Sequence, residues 1–135
     1  MRVWPVASES LLPSLKIRMG HLAKPLIYLA GPYTLTDPVH NTHKIIKIAS
    51  EIYDSGHAVP LIPHLSLLWH LVDPRPIDFW YEYDMHLLAR CDALLRVPGK
   101  SSGADAEVDK AQELRILVFD KLSRLLYWAE RFSSQ

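Results

Sequence analysis

The sequence predicts an α/β fold of three layers, in which a parallel sheet of four to five strands carries helices on both faces. Short, continuously apolar runs are typical of strands that are buried on both sides, as in parallel sheets. Amphipathic segments alternate with these runs, and alternation of this kind indicates right-handed strand–helix–strand units. The strands are predicted at 26–30, 57–62, 92–97 and 116–119, and the helices at 38–55, 77–91, 104–114 and 121–132.

The first strand, Leu26–Ala30, is apolar throughout and ends at Gly31-Pro32. The following helix has the expected start, with Asp37 at the N-cap and Pro38 in its first turn. Its apolar positions follow helical spacing, and Gly56 is a typical stop signal. Those positions are Ile45, Ile48, Ala49 and Ile52.

The second half of the chain repeats this alternation after an irregular, proline-bounded region, in which residues 65–71 are expected to form one or two helical turns. A helix over 77–91 then leads to the third strand, which Pro98-Gly99 closes. Ser101 or Ser102 caps the next helix, and a fourth strand and an amphipathic helix complete the fold. This order of elements corresponds to a flavodoxin-like or Rossmann-like sheet.

Composition excludes several classes of function. The chain has 135 residues with 49% hydrophobic and 22% charged, enough for one core. Fifteen Lys and Arg balance fifteen Asp and Glu, so the chain lacks the charge of a nucleic-acid or membrane-surface binder. A single cysteine excludes an internal disulfide and fits a reducing compartment, so we expect a cytoplasmic protein.

The domain plan is an N-terminal extension over 1–24 followed by one domain over 25–135. Polar residues and Pro13 interrupt the extension, so no secretory signal is expected, although a short helical turn is predicted near Leu11–Ile17. Met19 is an alternative start. No cofactor motif is present, and the seven histidines lack the spacing of a metal site.

The binding site is expected beyond the carboxyl ends of the strands, because parallel α/β sheets bind ligands there. This rule marks the segments Gly31–Thr36, Pro60–His64 and Pro98–Gly103, with His64 as a lining residue. Ser101, Ser102 and Gly103 precede a helix, where exposed amides favour an anion, although serines are also common caps without any ligand.

Two acidic residues lie on or beside apolar helix faces. Asp84 completes the stripe of the helix 77–91, whose apolar members are Ile77, Trp80, Tyr81, Leu87, Leu88 and Cys91. Glu107 borders the buried face of the helix 104–114, where Asp105 already fills the capping-box position after Ser102. Each carboxyl is either a structural group at a rim or a catalytic group in a cleft. Asn41 likewise is either a core amide or a ligand contact.

These residues resemble a known family. The run Ile27–Tyr33 resembles the first strand and loop of the nucleoside 2-deoxyribosyltransferase superfamily, and Asn41, Gly56-His57 and Pro63-His64 recur at suitable places. The second half of the superfamily's pattern is resembled by three features of this chain, namely Asp84, the run Cys91–Leu95 and the run Ser101–Glu107. The similarity covers about residues 25–120 and is greatest to small members and to the deoxynucleoside 5′-monophosphate N-glycosidases.

The resemblance implies a role for each matching residue. Glu107 corresponds to the glutamate that attacks the anomeric carbon, Asp84 to the aspartate that assists departure of the base, and Tyr28 to a tyrosine beside the nucleophile. Ser101 and Gly103 correspond to the loop that holds a 5′-phosphate. Retaining glycosidases place their two carboxyls roughly 5 Å apart, and we expect a similar separation here. Substrate contacts are expected from Gly31, Pro32, Tyr33, Asn41, His64, Ser101, Ser102 and Gly103.

The sequence therefore predicts an N-glycosidase or deoxyribosyltransferase for nucleosides or nucleoside 5′-monophosphates. A non-catalytic nucleotide-binding or sensor domain on the same fold is the alternative. A dinucleotide-binding protein ranks last, because no GxGxxG follows the first strand. A homo-oligomer, dimer or tetramer, is expected because the chain holds more large aromatic side chains than a small core absorbs. These are Trp69, Phe79, Trp80, Tyr83 and Trp128.

Overall fold

The computed structural model describes residues 23–132. Only the last two residues of the predicted extension, 23 and 24, lie within this range. The turn predicted near Leu11–Ile17 and the alternative start at Met19 lie outside the described residues. The described elements, in chain order, are β1 (Leu26–Ala30), α1 (Pro38–Asp54), β2 (Val59–Leu61), a 3₁₀ turn (Pro63–Leu65), α2 (Ser66–Val72), α3 (Ile77–Leu88), β3 (Ala93–Arg96), α4 (Ser102–Glu113), β4 (Leu117–Phe119) and α5 (Leu122–Phe132).

The four strands form one parallel sheet in the order β2-β1-β3-β4. Tyr28 in β1 lies opposite Leu61 of β2 on one side and Leu94 of β3 on the other. Alternate side chains of β1 enter two separate cores, because successive residues of a strand point to opposite faces. The predicted three-layer α/β fold is confirmed.

One face of the sheet packs against α1 and α5, and the other packs against α3 and α4. The first core contains Ile27 and Leu29 of β1 with Ile45 of α1 and Leu125 of α5. The second contains Tyr28 and Ala30 of β1 together with residues of α3 and α4, namely Leu88, Ala104 and Ala111. Burial of these apolar side chains on both faces is the main source of stability.

The helix starts follow the predicted chemistry. The Asp37 carboxylate accepts a hydrogen bond from the Val39 amide at 2.9 Å, and Pro38 occupies the first turn of α1. Gly56 ends α1 with a φ of 80°. Ser101 is the N-cap of α4, and its hydroxyl accepts from the Ala104 amide at 3.0 Å. The capping box predicted from Ser102 to Asp105 is therefore wrong, because the cap lies one residue earlier.

The apolar stripe predicted for α3 is wrong in its first turns. Ile77 is 74% exposed and Tyr81 is 43% exposed, whereas Leu88 is fully buried. The reason is that α2 and the start of α3 form a hairpin that extends beyond the two cores. Its aromatic side chains pack on one another, with Trp69 in edge contact with Phe79, Trp80 and Tyr83.

None of the helices within residues 23–132 has the length and apolar character that crossing a bilayer requires.

The loop after β3 approaches the loop after β1 so closely that only glycine fits at position 99. Gly99 has a φ of 125°, and a Cβ there would lie 2.6 Å from Cγ of Pro32. We expect Gly99→Ala to lower the free energy of unfolding by about 1–3 kcal/mol, through backbone strain and overlap. Urea unfolding measures this change.

The matched control is Gly103→Ala in the first turn of α4, where an added Cβ would find only the Ser101 hydroxyl at 3.9 Å. This substitution should leave stability unchanged or raise it by about 0.5–1 kcal/mol, because alanine favours the helix. Equal unfolding midpoints for the two variants would contradict the close approach.

Candidate functional site

The centre of the site is a hydrogen bond between β1 and α4. Tyr28 has no exposed surface, and its hydroxyl donates to Oε2 of Glu107. Burial, together with the nearby charges of Glu107 and Asp84, raises the pKa of Tyr28 far above its usual range. The phenol is therefore a permanent hydrogen-bond donor, and it fixes one oxygen of the Glu107 carboxyl group.

Asp84 of α3 lies within electrostatic range of Tyr28 and Glu107. Its Oδ1 is buried, and no partner for it exists within the described part of the chain. Burial raises the pKa of Asp84 to about 7. Its charge also raises the pKa values of Tyr28, Tyr33 and Glu107, so all four side chains lie within electrostatic range of one another.

Glu107 has a different environment from Asp84. Burial is the largest effect and raises the pKa of Glu107 to about 7, and the charge of Asp84 acts in the same direction. The hydrogen bond from Tyr28 and the positive charge of Arg96 oppose this rise. The Tyr28 hydrogen bond and the charge of Arg96 therefore favour the ionised form of Glu107. Among residues 23–132, burial is the cause of the shift at Asp84, and the pKa of both carboxyls is raised to about 7.

Arg96 is a component of the site that the sequence analysis missed. It ends β3, and its guanidinium donates to the Asp105 carboxylate at 2.9 Å, to the Gly99 carbonyl at 2.9 Å and to the Val97 carbonyl. Its side chain is 17% exposed. These contacts join the strand, the following loop and the first turn of α4. The positive charge of Arg96 also lowers the pKa of Glu107.

The loop after β1 is held by two predicted site residues. The amide of Asn41 donates to the carbonyl of Tyr33 at 2.9 Å and to that of Leu35 at 2.8 Å. His64 Nε2 donates to the carbonyl of Pro32 at 3.0 Å, and burial lowers the pKa of the ring. His64 is thus a neutral imidazole whose other nitrogen, Nδ1, is buried without a partner among residues 23–132.

The remaining predicted residues divide between packing and the start of α4. Gly31 is buried against Ile45 and Val97. Tyr33 lies edge-on to His64 with ring centroids 5.7 Å apart. Ser102 and Gly103 are exposed in the first turn of α4, whereas the Ser101 hydroxyl is engaged in the cap.

Neither metal nor thiol chemistry has an assembled site in the described residues. Over residues 23–132, no three side chains of His, Cys, Asp or Glu are grouped closely enough to hold a metal ion. Burial raises the pKa of Cys91 to about 12, so this thiol stays protonated near neutral pH.

Comparison of the chain with protein-family models, with curated proteins and with solved structures finds no match in any of the three.

Tyr28, Tyr33 and Glu107 each lie within electrostatic range of Asp84. Asn41 and His64 instead hold the loop after β1. For Arg96 the available signal was a charged residue at the carboxyl end of an otherwise apolar strand. The partners of Arg96 could not be inferred from that signal alone.

The buried carboxyl of Asp84 predicts a pH-dependent stability. Its pKa is raised to about 7 in the folded protein, so the folded state holds the proton more tightly than the unfolded chain does. Stability then falls as the pH rises from about 4 to about 7, and this effect is level above pH 7. We expect Asp84→Asn to gain stability relative to wild type over that range, by up to about 3 kcal/mol.

Urea unfolding at pH 4.5, 6 and 8 measures the difference, with Asp78→Asn as the control. Asp78 lies in the first turn of the same helix and is exposed, so its substitution should shift stability equally at all three pH values. Parallel pH profiles for Asp84→Asn and wild type would show that Asp84 ionises in the folded state as freely as in water.

Proposed function

We propose that the chain is a member of the nucleoside 2-deoxyribosyltransferase-like superfamily and cleaves or transfers the N-glycosidic bond of nucleosides or nucleoside 5′-monophosphates. The observation that carries this proposal is the unequal environment of two buried carboxyls at one edge of the sheet. Glu107 accepts from a phenol and is influenced by the charge of Arg96, whereas the part of the chain that the structure describes gives the buried Oδ1 of Asp84 no hydrogen-bond partner. One ionised and one protonated carboxyl is the combination that glycosidic cleavage needs.

In the first step, ionised Glu107 attacks the anomeric carbon as the bond from that carbon to the base nitrogen breaks. The bonding electrons leave with the base, and protonated Asp84 transfers its proton to the base. The products are a glycosyl ester on Glu107, a free base and an ionised Asp84. Tyr28 holds the second oxygen of Glu107 throughout and acts as a positioning residue.

In the second step, a nucleophile attacks the anomeric carbon and releases Glu107 as a carboxylate. Asp84, now ionised, takes the proton from the nucleophile. Water gives the free sugar, and a second base gives a new nucleoside. The residues are compatible with either acceptor, so the proposal covers both a hydrolase and a transferase.

Substrate contacts are proposed at the loops beside the carboxyls. The segment Gly31–Tyr33 directly follows β1, and the phenol of Tyr33 is within electrostatic range of Asp84. Free amides of the first turn of α4, at Ser102 and Gly103, are suited to an anionic group such as a 5′-phosphate. Asn41 and His64 act by holding the first loop in place.

The direct test is release of free base from a panel of ribo- and deoxynucleosides and their 5′-monophosphates, followed by chromatography. We expect at least one of them to release its base, and Glu107→Gln to reduce the rate at least about a thousandfold, because a neutral amide cannot act as the nucleophile. Tyr28→Phe should move the acid limb of the rate profile to higher pH, because its hydrogen bond favours ionised Glu107.

Glu113→Gln is the matched control, since this exposed glutamate at the end of α4 pairs with Lys110 away from the site. Its rate should equal that of wild type. Added free base distinguishes transfer from hydrolysis through the appearance of a new nucleoside. Failure of wild type to act on any member of the panel would refute the proposal, and binding without turnover would favour the non-catalytic nucleotide-binding module.

We also propose that the chain forms a homo-oligomer through the α2–α3 hairpin. This hairpin exposes more apolar surface than an isolated small domain normally shows to water. The exposed fractions are 70% for Leu68, 67% for Leu71, 79% for Val72 and 74% for Ile77. Trp69 is 41% exposed beside them, and the aromatic contacts within the hairpin hold this surface in a fixed shape.

Sedimentation velocity at micromolar concentration tests the oligomer. Leu68→Glu should convert the assembly to a monomer, because it places a charge within the proposed interface. Leu114→Glu is the control, since Leu114 is 40% exposed at the far end of α4. A monomeric wild type would refute the oligomer without bearing on the chemistry of the carboxyls.

A further inference from the structure

A cleft of about 310 Å³ opens between the loops that follow β1 and β3. The connection after β1 leads through α1 to β2, whereas the connection after β3 leads through α4 to β4, on the opposite side of the sheet. The two loops therefore diverge, and a crevice of this kind is where parallel α/β sheets bind ligands. Its volume lies near the lower end of the range for small-molecule sites.

The charged side chains that line the cleft are both positive. Lys44 of α1 and Lys100 of the loop after β3 both line it, and among residues 23–132 no aspartate or glutamate does. The ion pairs found within residues 23–132 include neither lysine. In a chain whose positive and negative residues are equal in number, two unpaired ammonium groups on one small cleft form a local anion-attracting region.

The walls of the cleft are fixed before any ligand enters. Thr36 lines it with a φ of 76°, an uncommon conformation for a β-branched residue. The buried amide of Asn41 holds the same turn through two carbonyls. On the opposite wall, Gly99 lies against Pro32, and Arg96 donates to its carbonyl. Preformed walls reduce the ordering that binding would otherwise require.

Tyr28, Asp84 and Glu107 are not among the residues that line the cleft. Gly31 packs against Ile45 of α1, so the cleft lies on the α1 face of the sheet edge, whereas Tyr28 points to the α3 and α4 face. Lys100 immediately precedes Ser101, the cap of α4. The loop after β3 therefore joins the cleft directly to the start of the helix that carries Glu107.

We propose that this cleft is an oxyanion subsite, in which Lys44 and Lys100 bind a phosphoryl group of the substrate. The subsite lies beyond the free amides of the α4 start. The claim that the bound phosphoryl group belongs to the substrate rests on the proposed function. The claim that the cleft binds phosphate is independent of that function. A ligand with two linked phosphoryl groups would occupy both positions, so the chain should bind a nucleoside diphosphate more tightly than the corresponding monophosphate.

The first experiment titrates inorganic phosphate and pyrophosphate into wild type and into Lys44→Gln and Lys100→Gln, with calorimetry or amide chemical shifts as the readout. Each substitution should weaken pyrophosphate binding about tenfold or more, since each removes one charged contact. Lys47→Gln is the control, because Lys47 is exposed on the same helix and does not line the cleft.

Equal weakening by the Lys47 substitution, or no weakening at either cleft lysine, would overturn the subsite. Thermal unfolding of each variant confirms that it is folded, which is expected because both cleft lysines are exposed.

The second experiment measures the affinity of a deoxynucleoside and its mono- and diphosphate for wild type and for Lys44→Gln. The substitution should weaken diphosphate binding most and leave nucleoside binding unchanged. Pyrophosphate binding that depends on the two lysines, without base release from any substrate, would retain the subsite and reject the glycosidase. Base release, combined with pyrophosphate binding that does not depend on the two lysines, would retain the glycosidase and reject the subsite.

Discussion

The hydrogen bond between Tyr28 and Glu107 connects the central strand to the helix that follows the neighbouring strand. It is made in the interior, where a hydroxyl without a partner would lower stability substantially. Because Tyr28 stays protonated, its hydroxyl is always the donor and the Glu107 carboxyl is always the acceptor. This hydrogen bond lowers the pKa of Glu107 and has no counterpart at the buried Oδ1 of Asp84 within residues 23–132. The division of roles that we propose for the two carboxyls depends on this hydrogen bond and on the charge of Arg96, which also lowers the pKa of Glu107.

The loops beside the carboxyls are held by side chains from separate elements. Asn41 and His64 hold the loop after β1, while Arg96 holds the loop after β3. In each case a backbone carbonyl receives the donor, so the loops keep their shape through interactions independent of any ligand. The polar residues of this region thus form two groups, namely the electrostatically coupled Tyr28, Asp84 and Glu107, and the side chains that hold the loops.

Much of the fold was predictable, because its signals are local. Apolar strands, the Asp37 cap and the stop at Gly56 each depend on a few adjacent residues. The exposure of Ile77 and Tyr81 was not predictable, since helical spacing identifies an apolar face but not whether a neighbour covers it. Asp84 and Glu107 were identifiable as acids on or beside apolar helix faces. The partners of Arg96 depend on tertiary contacts, so no local pattern could identify them.

The two partners of the central hydrogen bond are 79 residues apart in the chain. Every strand pair of the sheet is parallel, so each pairing also requires a long crossover. Contacts of this range form late, because the entropy of closing large loops must be overcome first. During synthesis, Tyr28 therefore remains without its acceptor until α4 has emerged, and the carboxyl pair is assembled only in a chain that is almost completely folded.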